Sequence, residues 1–375
     1  MKADKYEKLL KKSRKILTSN IYTDFNYAWG KYRMISPAQG HFVGIWNWDS
    51  AFHAIGMIPY DIETAKEQIV GFLQFQRDNG MLPDAIFESG EIAAACSKPP
   101  LMAYAAMRIY DECMDREFIE KVYPALSMEL HFWENERQYD GMFHYDAYRG
   151  ENCSDEEYLT CVRFESGWDN SPRWDYEPQN IWPVDLNCYI VMAYRAVAAM
   201  AYEQEKDGSE WERKADVLAE KINFRLWNNN LMSYTDYNFK RDKYSDVLTP
   251  ASFMPLYAGI AENEKAQAMA DTAKKHFMPG MPTVVAYTSS EYDDRYEHAY
   301  WRGPCWLNVA YFAAKGLKNY GFDEIADQIK ETILTWVYND KDCIHENYNA
   351  TTGEGLCSDH FSWSSVFVRE FIENF

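Results

Sequence analysis

The segment Glu165-Ser-Gly-Trp-Asp-Asn-Ser-Pro-Arg-Trp174 sets one acid, Asp169, between two indoles, Trp168 and Trp174, with a guanidinium close by at Arg173. A carboxyl group held against apolar rings keeps its proton to higher pH, because loss of solvent disfavours the charged form. Such a group can protonate a departing glycosidic oxygen, while the C–H faces of a pyranose stack on the indoles. The chemistry implied is general acid catalysis at an anomeric carbon. A turn carboxylate is the competing use of Asp169, since Asn170-Ser-Pro172 is itself turn-like.

Three other segments carry the same mixture of aromatic and polar residues. Gly44-Ile-Trp-Asn-Trp-Asp-Ser-Ala-Phe-His53 places Trp46 and Trp48 on alternate positions before Asp49. Asp49 can accept hydrogen bonds from two sugar hydroxyls while a Trp packs on the ring, or it can cap the helix that follows. Tyr300-Trp-Arg-Gly-Pro-Cys-Trp306 offers Trp301, Arg302, Gly303 and Trp306, and Gly303-Pro304 also suits a helix entry on structural grounds alone. His345-Glu-Asn-Tyr-Asn-Ala-Thr-Thr-Gly-Glu-Gly355 holds Glu346 and Glu354 in a polar loop that leads to Phe361-Ser-Trp363 and the final helix. A water-activating base is needed beside the acid. Glu346, Glu354 and Asp49 all qualify by residue type, and their chemistry does not separate them.

These side chains must be positioned by helices. Apolar spacing at three and four residues predicts helices over roughly 3–18, 62–78, 99–112, 115–136, 184–205, 209–226, 263–276, 304–318, 322–338 and 362–373. Strand-like alternation is scarce, with short hairpins expected around 141–149 and 229–236. The helices come in pairs separated by loops of unequal character, some short and some long and rich in Trp, Asp and Arg. That asymmetry predicts an all-α toroid of six helical hairpins, an (α/α)6 barrel formed as a single domain over residues 1–375, with the aromatic loops gathered at one end. No sequence signature recurs at the fixed period of an α-solenoid.

Composition narrows the partners. A formal charge of −20 repels a phosphate backbone, so nucleic acid is excluded as a target, whereas a small neutral carbohydrate is indifferent to that field. Aromatic residues make up 16% of the chain, and most of them are expected in the core. The eight cysteines form no C-x-x-C pair and no zinc spacing, and they read as reduced, mostly buried thiols. The first ten residues lack the apolar stretch of a secretory signal, and no run reaches 18 apolar residues. The expectation is a cytoplasmic protein with no membrane contact, no cofactor and no metal in its mechanism. A peripheral Ca²⁺ held by loop carboxylates is compatible with the sequence, and oligomeric state is not legible.

Taken together and in this order, Ile45-Trp-Asn-Trp-Asp-Ser50, Glu165-Ser-Gly-Trp-Asp-Asn-Ser-Pro172, Tyr300-Trp-Arg-Gly-Pro304 and Glu346-Asn-Tyr-Asn-Ala-Thr-Thr-Gly-Glu-Gly355 resemble the helical-barrel glycosidases of glycoside hydrolase family 63 and the related trehalases of family 37. The resemblance runs from about residue 40 to the C-terminus. It implies hydrolysis of an α-glycosidic bond with inversion, with Asp169 matching the general acid and Glu346 the general base. In an inverting enzyme the two carboxyl groups stand about 6.5–9.5 Å apart, leaving room for a water. Trp46, Trp48, Asp49, Trp168, Arg173, Trp301, Arg302, Gly303, Trp306 and Trp363 fall in segments that this resemblance implies for sugar binding.

Departures from the trehalase pattern at Gln39-Gly-His-Phe42 and Gly355-Leu-Cys-Ser-Asp-His360 make trehalose a poor substrate candidate. The chain is similar in size to small bacterial members acting on glucosylglycerate or mannosylglycerate, for which Lys98, Arg163, Arg173 or Arg302 would receive a carboxylate. An α-linked glucose disaccharide or oligosaccharide is the other substrate class. Two further functions compete. A sugar epimerase on the same barrel would use His298, His345 or His360 as acid and base. A non-catalytic carbohydrate-binding protein would keep the aromatic pocket without turnover.

Overall fold

The computed structural model describes residues 2–277 and 300–375. It contains thirteen α-helices among the described residues, joined by loops with strands of two or three residues. They are α1 (Lys2–Ser19), α2 (Asn47–Met57), α3 (Ile62–Leu73), α4 (Met102–Cys113), α5 (Arg116–Glu136), α6 (Asp155–Ser166), α7 (Val184–Glu203), α8 (Ser209–Arg225), α9 (Met254–Tyr257), α10 (Asn263–Thr272), α11 (Leu307–Asn319), α12 (Asp323–Asn339) and α13 (Ser362–Glu373).

Local chemistry explains several of the helix starts. Asp61 caps α3 by accepting from the backbone N–H groups of Glu63 and Thr64, and Asp115 caps α5 through Phe118 N–H. Ser154 and Glu157 form a reciprocal capping box at α6. That helix ends on Gly167 in the left-handed conformation at φ 72°. Polar caps of this kind satisfy backbone N–H groups that the first turn leaves without intrahelical partners.

Two compact units are present. One comprises Leu17–Asp169 with Tyr189–Ala219. Within it α2 packs on α3 and α4, and α5 lies against both of those helices. A three-stranded antiparallel sheet joins Gly44–Trp46, Ala85–Phe87 and Ile92–Ala93, with Trp46 opposite Ala85. The other unit comprises Met1–Ile16, Asn170–Cys188 and Glu220–Phe375, and there α11 packs against α9, α12 and α13. A second small sheet pairs Ile181–Trp182 with Tyr237–Asn238, which in turn pairs with Lys243–Tyr244.

The cores are aromatic-rich, as composition predicts. Trp29, Trp133, Trp168, Trp174, Trp301 and Trp306 are all essentially buried. Each such ring removes a large apolar area from water, which is the dominant stabilising term. One helix among the described residues, α7, is long and apolar enough to cross a membrane, but 89% of its apolar window is buried within the protein, as in a core helix.

Hairpins pair Gln138–Tyr139 with Met142–Phe143 and Trp227–Asn228 with Ser233–Tyr234; the second overlaps the expected 229–236, whereas the first lies N-terminal to most of the expected 141–149, where residues 144–149 carry no strand. Helices α2, α6 and the single turn α9 are not among the spans that apolar spacing predicts. Asp49 does not cap α2. The helix starts at Asn47, with Trp46 at the capping position, so Asp49 lies inside the first turn.

Candidate active site

The first and second motifs meet at one tight backbone position. Gly167 ends α6 at φ 72°, and a Cβ added there would lie 2.5 Å from the Trp48 ring. Glycine is therefore required twice over, for the left-handed turn and for the approach of the indole. Two residues later the turn delivers Asp169, which is half-buried, next to the fully buried Trp168. The turn is held by Ser166, whose hydroxyl accepts from Trp168 N–H at 3.0 Å.

Glu165, the first residue of the motif, is structural. Its fully buried carboxylate accepts from Arg137 Nε, from Ser97 N–H at 3.0 Å and from Asp146 N–H at 2.7 Å. It thus pins the end of α6 to two neighbouring loops. Beside it Lys98 is 6% exposed, lies 3.1 Å from Asp84 and donates to the carbonyl of Phe164. Burial opposes the charge on Lys98, but the carboxylates of Asp84 and Asp169 outweigh it and hold the ammonium above its ordinary pKa. Asp84 has no signal in the sequence; only the fold brings it to Lys98.

In this same unit Asp49 is 5% exposed and Trp48 4% exposed, with Trp48 tilted against Phe52. Trp46 is half-buried and is met edge-on by Phe42 and Phe87.

The remaining motifs assemble in the other unit. Asn170, directly after Asp169, accepts from Trp301 N–H through its side chain at 2.8 Å and from Arg302 through its carbonyl at 3.0 Å. Arg302 also grips Asp175 with both terminal nitrogens, at 2.8 and 2.9 Å. Gly303 follows at φ 141°, a value open to glycine and not to residues with a Cβ. Cys305 and Tyr348 then exchange two backbone hydrogen bonds, at 2.8 and 2.9 Å, which joins the third motif to the Glu346 loop. Trp301 stacks on Trp306 with centroids 3.8 Å apart and planes at 3°, and Trp306 stacks in turn on Trp363. These three indoles are at most 2% exposed, so they form a packed, buried pile.

Of the three base candidates, Glu346 and Asp49 are buried and only Glu354 is exposed. Glu346 is 3% exposed, and its carboxylate accepts from Ser358 N–H at 3.3 Å. Its own N–H donates to Ser358 O at 2.9 Å, and its carbonyl accepts from the buried Ser364 hydroxyl at 3.0 Å. Glu354 is exposed in the turn beyond. His345 is committed elsewhere: its Nδ1 lies 2.7 Å from Asp340, whose hydrogen bond raises the imidazole pKa. His360 is exposed, and His298 lies outside the described residues.

Arg173 is not a carboxylate receptor. Its side chain is wholly buried and forms paired hydrogen bonds of 2.7–3.0 Å to Asp185 and Asp236. Burial works against its charge, but the two carboxylates hold it well above even the ordinary guanidinium pKa. Asp185 and Asp236 also accept from Leu186 and Val184 N–H at the start of α7, so this cluster anchors that helix. The other three cations proposed for a substrate carboxylate are engaged as well: Lys98 with Asp84, Arg163 with Glu156 at 3.0 Å and Arg302 with Asp175.

The family model for the mannosylglycerate hydrolase MGH1-like glycoside hydrolase domain matches residues 43–364. The mannosylglycerate hydrolase of Rubrobacter radiotolerans is 24% identical over 448 residues, covering 95% of this chain and 96% of that protein. The periplasmic trehalase of Salmonella newport is 31% identical over 229 residues, covering 56% of this chain and 39% of that protein. The crystal structure of the glycoside hydrolase family 63 mannosylglycerate hydrolase from Thermus thermophilus, in complex with Tris and D-glycerate, superposes with a TM-score of 0.78 at 22% identity, covering 96% of this chain and 98% of that one. That likeness establishes the all-α (α/α)6 barrel fold. The chain belongs to the family of mannosylglycerate hydrolase MGH1-like glycoside hydrolase domains, enzymes like those of family 63 with trehalase relatives, and is a glycoside hydrolase.

Proposed function

We propose that this glycoside hydrolase is an inverting α-glycosidase in which Asp169 protonates the leaving oxygen and Glu346 deprotonates the attacking water. The observation that carries the reading is the contrast between the two loop carboxylates: Glu346 is buried and gripped by Ser358, and Glu354 is exposed. A base must be held in one orientation to align a water with the anomeric carbon, and a solvated turn carboxylate is not. Asp169 leaves the left-handed turn at Gly167 next to the buried Trp168, with the buried Lys98 ammonium acting on the same carboxylate. Acid and base act on one bond, so residues 1–375 work as a single catalytic domain in this proposal.

The substrate class we favour is an α-glycosylglycerate, with glucose or mannose on the glycosyl side. The support is the mannosylglycerate hydrolase activity for which the full-length relatives are named and the D-glycerate held by the Thermus enzyme. A neutral α-glucoside is the second class. The engaged state of Lys98, Arg163, Arg173 and Arg302 favours it, since a glycerate carboxylate would have to compete with Asp84, Glu156, Asp185, Asp236 or Asp175 for those cations. Hydrolysis assays across glucosylglycerate, mannosylglycerate, kojibiose, nigerose, isomaltose and trehalose decide between the classes. The proposal expects kcat/KM highest on a glycosylglycerate and lowest on trehalose; a disaccharide cleaved best would assign the neutral class instead.

A further inference from the structure

We propose that Cys343, Asp359 and His360 form a binding site for a zinc-like divalent cation that braces the loop carrying Glu346. One ligand atom from each residue lies within 4.8 Å of the others. A single imidazole nitrogen, His360 Nδ1, faces both partners, at 4.0 Å from Cys343 Sγ and 3.5 Å from Asp359 Oδ1. Zinc bonds of about 2.3 Å to sulfur and about 2.0–2.1 Å to nitrogen or oxygen, at tetrahedral angles, separate ligand atoms by roughly 3.4–3.6 Å. The cluster is thus within small side-chain rotations of a coordinating arrangement. A thiolate, an imidazole and a carboxylate suit zinc; calcium and magnesium prefer oxygen alone. Three protein ligands leave a fourth position for water.

The frame that presents these side chains is fixed by backbone hydrogen bonds. Phe361 N–H donates to Ile344 O at 2.8 Å and Glu346 N–H donates to Ser358 O at 2.9 Å, which runs residues 343–346 alongside 358–361. Lys12 ties the carbonyl of Cys343 at 3.2 Å. His360 stands at φ 51° and Cys357 at φ 61°, left-handed conformations that residues with a Cβ adopt only when their surroundings impose them. Such positions concentrate at functional sites. The ligands sit on both segments of the frame, so a bound cation would cross-link them, and Ser358, which holds Glu346, directly precedes the aspartate ligand.

The test is a zinc titration of the purified, chelator-treated chain against a chromogenic competitor. One zinc per chain is expected, with affinity at least about tenfold weaker in Cys343→Ser and in His360→Ala. Asp359→Asn is expected to weaken it by a smaller factor, and Cys357→Ser to leave it unchanged. Calcium and magnesium in excess should not displace the metal. All four side chains are half-buried or exposed, so circular dichroism of the metal-free variants should match the parent chain. No zinc retained by the parent chain, or equal affinity in Cys343→Ser or His360→Ala, would overturn the site. So would loss of binding on Cys357→Ser alone.

Discussion

At the scale of single residues, burial separates carboxylates that look alike in sequence. Asp169→Asn and Glu346→Gln are each expected to lower kcat by roughly 10²- to 10⁴-fold, the usual contribution of a positioned acid or base. Glu354→Gln, at an exposed turn, should leave kcat nearly unchanged, and all three variants should melt close to the parent chain. Steady-state kinetics with thermal melts checks this set together. Glu129 offers a different experiment. It is 1% exposed within α5, and burial pushes its carboxyl pKa up to about 8. Between its unfolded pKa near 4.5 and about 8 the folded state holds a proton that the unfolded state releases, so stability falls as pH rises through that window. Glu129→Gln, which keeps the shape without the charge, should raise the melting temperature at pH 8 and change it little at pH 4.5. Calorimetry at the two pH values reads the difference. Equal effects at both would show that the buried carboxyl does not titrate differently on folding.

At the scale of elements, the site depends on turns that bring a motif to its neighbour. Gly167→Ala adds a Cβ at φ 72° and at 2.5 Å from the Trp48 ring. It should displace either the indole or the turn that delivers Asp169. The cost of the backbone conformation alone is about 1–3 kcal/mol. A lower melting temperature together with a fall in kcat is expected, and a chain that keeps both would show that this contact does not position Asp169. The helices that rest mainly on apolar periodicity are legible from sequence: α5 spans Arg116–Glu136 against an expected 115–136, and α13 spans Ser362–Glu373 against 362–373. Differences have local causes. The helix expected from residue 99 starts at Met102, after Pro99 and Pro100, and the one expected from 304 starts at Leu307 because Cys305 is in backbone pairing with Tyr348. Helix α6 escapes the periodicity because its sequence, Asp155-Glu-Glu-Tyr-Leu-Thr-Cys-Val-Arg-Phe-Glu-Ser166, has a weak apolar stripe and owes its start to the Ser154 capping box. The four motifs are legible as chemistry. Arg173 looks like a ligand in sequence because nothing there shows that Asp185 and Asp236 close on it from 12 and 63 residues away.

At the scale of the whole molecule, a net charge of −20 disfavours a polyanionic partner, and the family assignment spanning residues 43–364 makes the chain a glycoside hydrolase. The fold places many chemistries within reach, so the stereochemical course must be tested at the anomeric carbon itself. Inversion requires the base to act through water on the face opposite the leaving group; a nucleophilic carboxylate would give retention. The most direct measurement is proton NMR of the first sugar released from α-glucosylglycerate or α-mannosylglycerate, recorded before mutarotation. The account predicts the β-anomer as the initial product, equilibrating only later. Initial release of the α-anomer would contradict it, since Glu346 could not then be a base acting through water.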